Sequence, residues 1–120
     1  TSGTVDPFSD KAIRSGMSAQ FSLKLREFEN LSELAVFLHK NGYKNIFRTD
    51  PHDGHNCFTE KALFDKSAVI FGSEGGGAAE LEGSVPLMIP MPGDYESINV
   101  AQAATVIIFD YVRRLYSAGQ

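Results

Sequence analysis

Two short apolar runs, each closed by glycine or proline, constrain the fold of this chain more than any other feature. Residues 67–71 read SAVIF and stop at Gly72; residues 85–91 read VPLMIPM and stop at Pro92 and Gly93. Unbroken apolar runs of this length, without polar alternation, are the pattern of strands buried on both faces of a parallel sheet. The segments around them alternate in kind. Ser9 can cap a helix over Asp10 to about Met17, and Phe21, Leu23 and Leu25 alternate with polar residues in the period of a half-buried strand, which makes this stretch an early strand or an extended segment. Leu31, Leu34, Ala35 and Leu38 recur at helical spacing after Asn30, and Gly42 stands where a glycine ends such a helix. Residues 44–49 read as a strand, 50–56 as a loop, 78–81 as a short helix and 100–116 as a final helix. That last helix has almost no polar face before Arg113 and Arg114, so it is expected to lie against a sheet or a partner. Helices alternating with strands give an α/β domain, in which ligands collect beyond the carboxyl ends of the strands.

Composition narrows the functional classes. A chain of 120 residues with 42% hydrophobic content can bury a core as one domain. Its net charge of −4 supplies no overall positive field for nucleic acid, so any RNA grip must be local or shared. The single cysteine, Cys57, excludes an internal disulfide and fits a reducing compartment. No apolar run approaches the roughly 20 residues of a membrane span, so a cytoplasmic protein without membrane attachment is expected.

Both expected site loops follow apolar strands. The glycines of residues 72–77 allow close approach of backbone N–H groups to a ligand, and equally serve a tight strand-to-helix turn. The segment matches neither a dinucleotide fingerprint nor a P-loop. Glu74 is either a cap for the following helix or a positioned site group. Ser97 and Asn99, at the mouth of the last helix, are likewise caps or site residues. Asp50, His52, Asp53, His55 and Cys57 are metal-capable types, but their spacing fits no standard zinc pattern, and no metal is expected.

Taken together, residues 68–77 (AVIFGSEGGG), 87–91 (LMIPM) and 96–101 (ESINVA) resemble the second and third motifs of the SpoU, or TrmH-type, RNA 2′-O-ribose methyltransferases of the SPOUT superfamily. Residues 6–14 (DPFSDKAIR) also resemble that family, so the likeness extends over essentially the whole chain. It implies an α/β knot: a parallel sheet flanked by helices, with a deep trefoil near the C-terminus, which strand and helix periodicity cannot foretell. It further implies S-adenosylmethionine as cofactor, with Thr49, Gly72, Glu74, Ile89, Met91, Ser97 and Ile98 as binding residues. Glu74, Ser97 and Asn99 correspond to catalytic positions that orient the ribose.

The activity implied is 2′-O-methylation of RNA, ribosomal RNA ahead of transfer RNA, by a homodimer joined through the knot region and last helix. The family's first motif, with the arginine credited with activating the 2′-hydroxyl, has no counterpart among these residues. Residues 1–120 are therefore expected to be a methyltransferase domain without its N-terminal strand, helix and first motif. Arg14 belongs to another stretch of the family pattern and does not fill that role. Two other readings remain at this point: a noncatalytic RNA-binding or assembly module that keeps the knot, and a flavodoxin-like phosphate or nucleotide binder.

Overall fold

The computed structural model describes residues 1, 3–4, 6–17, 19–72, 81–93 and 98–118, and the chain divides into two compact units, Thr1–Phe37 and Leu38–Gln120. In the first unit, α1 (Asp10–Ser15) begins where the Ser9 hydroxyl accepts the Ala12 amide at 3.3 Å. Asp10 sits in its first turn, where the helix dipole favours a carboxylate. The helix stops at Ser15, short of Met17, whose φ of 51° lies outside the helical region.

The expected strand around residues 21–25 does not form. Ala19–Phe21 is a single 3-10 turn, residues 24–28 have no regular structure, and Phe21, Leu23 and Leu25 are exposed. Alternation buries a face only when a neighbouring strand and a second layer are present, and none of the described strands pairs with this stretch. Aromatic contacts organise the unit instead. Phe8 meets Phe21 at 5.6 Å, Phe28 meets Phe37 at 5.2 Å, and the Arg26 guanidinium lies 4.5 Å from the centroid of Phe37.

Helix α2 (Leu31–Lys40) starts at Asn30, whose side-chain oxygen accepts the Glu33 amide at 2.9 Å, while the Glu33 carboxylate reaches back to the Glu29 amide. It ends as Gly42 foretells. With φ at +81°, Gly42 donates to the His39 carbonyl and Tyr43 donates to the Leu38 carbonyl, the paired bonds of a Schellman motif.

The second unit is built on a fully parallel sheet in the order β2-β4-β1-β3, with β1 at Asn45–Thr49, β2 at His55–Asn56, β3 at Ser67–Ile70 and β4 at Val85–Met88. Ile46 and Phe47 point to opposite faces of β1 and are both buried, as a central strand requires. Phe47, Cys57, Leu63, Leu87 and Ile107 form one core cluster, with Ile107 supplied by α3 (Val100–Ala118). The sheet is thus flanked by helices, as expected.

Three departures from the sequence reading have physical causes. The 67–71 run is expected to be buried on both faces, yet β3 is only half-buried along its length, because among the described strands it pairs with β1 alone and lies at the sheet edge. The second run leaves the sheet at Met88, just before Pro90 and Pro92, which carry no N–H for a ladder. Part of the expected 50–56 loop is a strand: His55 and Asn56 pair with Leu87 and Met88 through main-chain groups, which polar side chains do not advertise. The expected 78–81 helix falls outside the described residues except for Leu81, which is not helical. Helix α3 buries Ala103, Ile107 and Asp110 on one side, while Ile108, Phe109, Leu115 and Tyr116 remain exposed on the rest.

A close approach fixes the turn into β2. Gly54 has φ of +120°, and a Cβ there would lie 2.4 Å from the Pro86 carbonyl oxygen; at Gly42 a Cβ would meet nothing within 4 Å. Gly54→Ala is therefore expected to lower unfolding free energy by about 2 kcal/mol or more, and Gly42→Ala by about 1 kcal/mol from backbone strain alone. Urea titrations of the two variants check the order; equal losses would place no β4 contact at Gly54.

Candidate functional site

Because every strand pair is parallel, the carboxyl ends gather along one border of the sheet. The registers Arg48↔Ile70, Thr49↔Leu87 and Asn56↔Met88 bring the exits of all four strands level to within about one residue. Asp50, Phe71 with Gly72, Ile89 and Cys57 therefore emerge side by side. Two bonds fix the central exit: the Thr49 hydroxyl donates to the Ile70 carbonyl at 3.4 Å, and the Asp50 amide donates to the Leu87 carbonyl at 2.9 Å. The Asp50 carboxylate then organises the loop it opens, accepting the amides of His52 and Asp53 at 2.9 and 3.0 Å. The Arg48 guanidinium stands 3.9 Å from the other Asp50 oxygen.

The site residues named from sequence divide into three groups. Thr49, Gly72 and Ile89 lie at these exits and are all half-buried, with Ile89 packed against the core cluster. Met91 is exposed beyond the end of β4. Ile98 and Asn99 stand at the start of α3, where the Asn99 side-chain oxygen accepts the Ala101 amide at 2.8 Å and its carbonyl accepts the Ala103 amide at 2.8 Å. Of the two roles open to Asn99, helix capping is observed directly. Glu74 and Ser97 lie outside the described residues.

The metal-capable loop residues have other partners. Cys57 is buried in the core, where loss of solvent, reinforced by the nearby Asp110 charge, pushes its thiol up to about 11. His55 Nδ1 pairs with the Glu60 carboxylate, and this bond, with the Ala62 amide behind it, holds Glu60 below the usual carboxylate range. Among the described residues no group of three or more His, Cys, Asp or Glu side chains is arranged to hold a metal ion.

The sequence reading did not anticipate the ionic network on α3. Asp110 is buried, and its carboxylate accepts Arg113 at 2.7 and 2.9 Å and Arg114 Nε at 2.9 Å. Arg114 also donates to the Glu60 carbonyl at 2.9 Å and the Cys57 carbonyl at 2.8 Å. An acid followed by arginines at i+3 and i+4 was the available signal. Two surface grooves flank α3, one of about 450 Å³ at Phe58, Val106, Phe109, Asp110 and Arg113, the other of about 360 Å³ at Tyr43, Phe64, Val69, Phe71 and Tyr111 among others. Phe71 is shared between the second groove and the strand exits.

Comparisons with known proteins converge on one family. The pattern of the SpoU rRNA Methylase family matches residues 1–109. A tRNA (guanosine(18)-2′-O)-methyltransferase of Thermus thermophilus is 33% identical over 100 residues, covering 79% of this chain and 50% of the relative. The 23S rRNA (guanosine(2553)-2′-O)-methyltransferase RlmP of Bacillus subtilis is 33% identical over 110 residues, covering 89% of this chain and 43% of its own length. The chain thus spans about half the length of the curated relatives it matches. Among solved structures, the SpoU methyltransferase AviRb from Streptomyces viridochromogenes, in complex with AdoMet, superposes with a TM-score of 0.80 at 25% identity over 95% of this chain and 47% of AviRb. An RNA 2′-O ribose methyltransferase superposes with a TM-score of 0.75 at 26% identity, over 95% of this chain and 44% of that protein.

The burial of Cys57 is directly measurable. Below its thiol pKa of about 11 the group is protonated as well as buried, so it is expected to resist alkylation by iodoacetamide at pH 8 in the folded protein and to react fully in urea. Rapid stoichiometric labelling without denaturant would contradict its place in the core.

Proposed function

The chain belongs to the SpoU rRNA Methylase family, and from that membership we propose that it serves S-adenosylmethionine-dependent 2′-O-ribose methylation of RNA. The observation that carries the reading is the convergence of Thr49, Gly72 and Ile89, three residues of separate segments, on one border of a parallel sheet. The donor set suits an adenosine-type ligand: Phe71 and Ile89 offer half-buried apolar surface, Gly72 offers backbone without a Cβ, and Asp50 supplies a fixed polar loop.

Thr49, Gly72, Ile89, Met91 and Ile98 are assigned to the cofactor, together with Glu74 and Ser97. When bound, the cofactor supplies a sulfonium-activated methyl group, which passes to a ribose 2′-oxygen as the hydroxyl proton leaves. Alignment is then the protein's main task. Glu74, Ser97 and Asn99 are assigned to orienting the ribose, and the cap on α3 holds the Asn99 backbone in place for it. Proton removal is assigned to none of the described residues.

The C-terminal trefoil belongs to the same proposal. Among the described strands β4 is last in sequence yet lies between β1 and β2. Ribosomal RNA is the preferred substrate on the family's description, with the Thermus relative keeping transfer RNA in view. The exposed Ile108, Phe109, Leu115 and Tyr116 favour pairing of two copies through α3. A cytoplasmic site of action is part of the same proposal; none of the described helices is long and apolar enough to cross a membrane. We take residues 1–120 as belonging to one methyltransferase domain of this family.

Calorimetric titration with S-adenosylhomocysteine tests the cofactor assignment. Saturable binding is expected, and Gly72→Val is expected to abolish it by blocking backbone approach, whereas Asn99→Ala retains binding and loses about 1 kcal/mol of stability with its cap. A folded wild-type chain that does not bind, or a Gly72→Val variant that binds normally, would overturn the assignment.

A further inference from the structure

We propose that Arg114, held by Asp110, is a positioning residue for Ile89, Met91 and Ile98, the described cofactor residues of the segment between β4 and α3; the assignment rests on the function proposed above. Arg114 lies on α3 fifteen positions after Asn99, yet its guanidinium reaches a residue bonded to the end of β4. Its Nη2 donates to the Cys57 carbonyl at 2.8 Å, and the Cys57 amide donates to the Met88 carbonyl at 2.9 Å. Met88 is the last residue of β4, and Ile89 is the first residue of the segment. One residue, Cys57, therefore couples α3 to the strand end from which the segment departs. Asn99 opens α3 beyond this stretch, so Arg114 and Cys57 close a ring of contacts between α3 and the end of β4.

The remaining contacts stiffen that ring. Arg114 Nη1 donates to the Glu60 carbonyl at 2.9 Å, and the Glu60 amide donates to the Asn56 carbonyl at 3.0 Å, which fixes the turn after β2. The guanidinium stacks 4.8 Å from the Phe64 centroid, and Phe64 meets Tyr111 of α3 at 5.1 Å. Asp110 aims the group from beneath, accepting Nε at 2.9 Å with a side chain only 5% exposed. Three oxygens in different directions need the planar fork of arginine; a lysine ammonium keeps the charge but cannot span them. A carboxylate this buried is tolerated because both arginines neutralise it.

The test uses the full 120-residue chain with Arg114→Ala and Arg114→Lys, each shown by circular dichroism to be folded at the working temperature, and Gly42→Ala as a destabilised control remote from the ring. Two readouts are taken: the Kd for S-adenosylhomocysteine and amide hydrogen exchange. Both Arg114 variants are expected to bind about tenfold more weakly, with Gly42→Ala binding as wild type. Exchange is expected to accelerate at Ile89, Met91 and Ile98 while the amides of Asn45–Thr49 stay protected. Wild-type Kd in a folded Arg114→Ala, or exchange that rises uniformly over the sheet, would overturn the proposal and leave Arg114 a general stabiliser. If the wild type itself fails to bind, the methyltransferase reading falls, and the exchange pattern still decides whether Arg114 positions the segment. Should Arg114→Ala not fold, Arg114→Lys carries both readouts.

Discussion

The insertion of β4 between β1 and β2 is the constraint on which the second unit depends. Main-chain pairing on both sides makes β4 central, sets the register of the strand exits, and places Asp50 and Cys57 on carbonyls of Leu87 and Met88. Leu87 is 1% exposed and joins Phe47, Cys57, Leu63 and Ile107 in the core, so the pairing is backed by apolar packing. Gly54 shows how tightly the arrangement is drawn, since the chain passes too close to the Pro86 carbonyl for any side chain.

Parallel pairing also explains where chemistry can occur. A parallel sheet sends every strand out along the same border, so residues far apart in sequence become neighbours without special loops. Here the exits are level, and the amides of Asp50 and Cys57 are bonded to carbonyls of β4, which frames the exit where Ile89 departs. Buried charge completes that frame on the helix side: Asp110 holds two arginines, and Arg114 carries the constraint across to the turn after β2.

The fold was legible in the sequence where local chemistry decides conformation. Ser9, Asn30 and Gly42 marked helix ends through capping and left-handed backbone, and residues 44–49 and 100–116 were found nearly to their limits. Legibility failed where pairing decides. Phe21, Leu23 and Leu25 alternate like a strand but pair with none of the described strands, whereas His55 and Asn56 look like loop and are strand because β4 offers them a free edge. Half-burial of β3 likewise follows from its place at the edge, which no local pattern records. Motif resemblance named Thr49, Gly72 and Ile89 as site residues, and the parallel sheet brings these three to one border. The Asp110 and Arg114 network was missed because two of its acceptors are main-chain carbonyls more than fifty residues away, invisible to side-chain patterns.

Amide chemical-shift mapping during titration with S-adenosylhomocysteine tests the central claim most directly, because it reports where a ligand sits as well as whether it binds. Perturbations confined to Thr49, Asp50, Phe71, Gly72, Ile89, Met91 and the start of α3 are the result this account predicts. Perturbations at the amino ends of the strands, around Asn45, Ser67 and Val85, or along the exposed face of α3 alone, would contradict it.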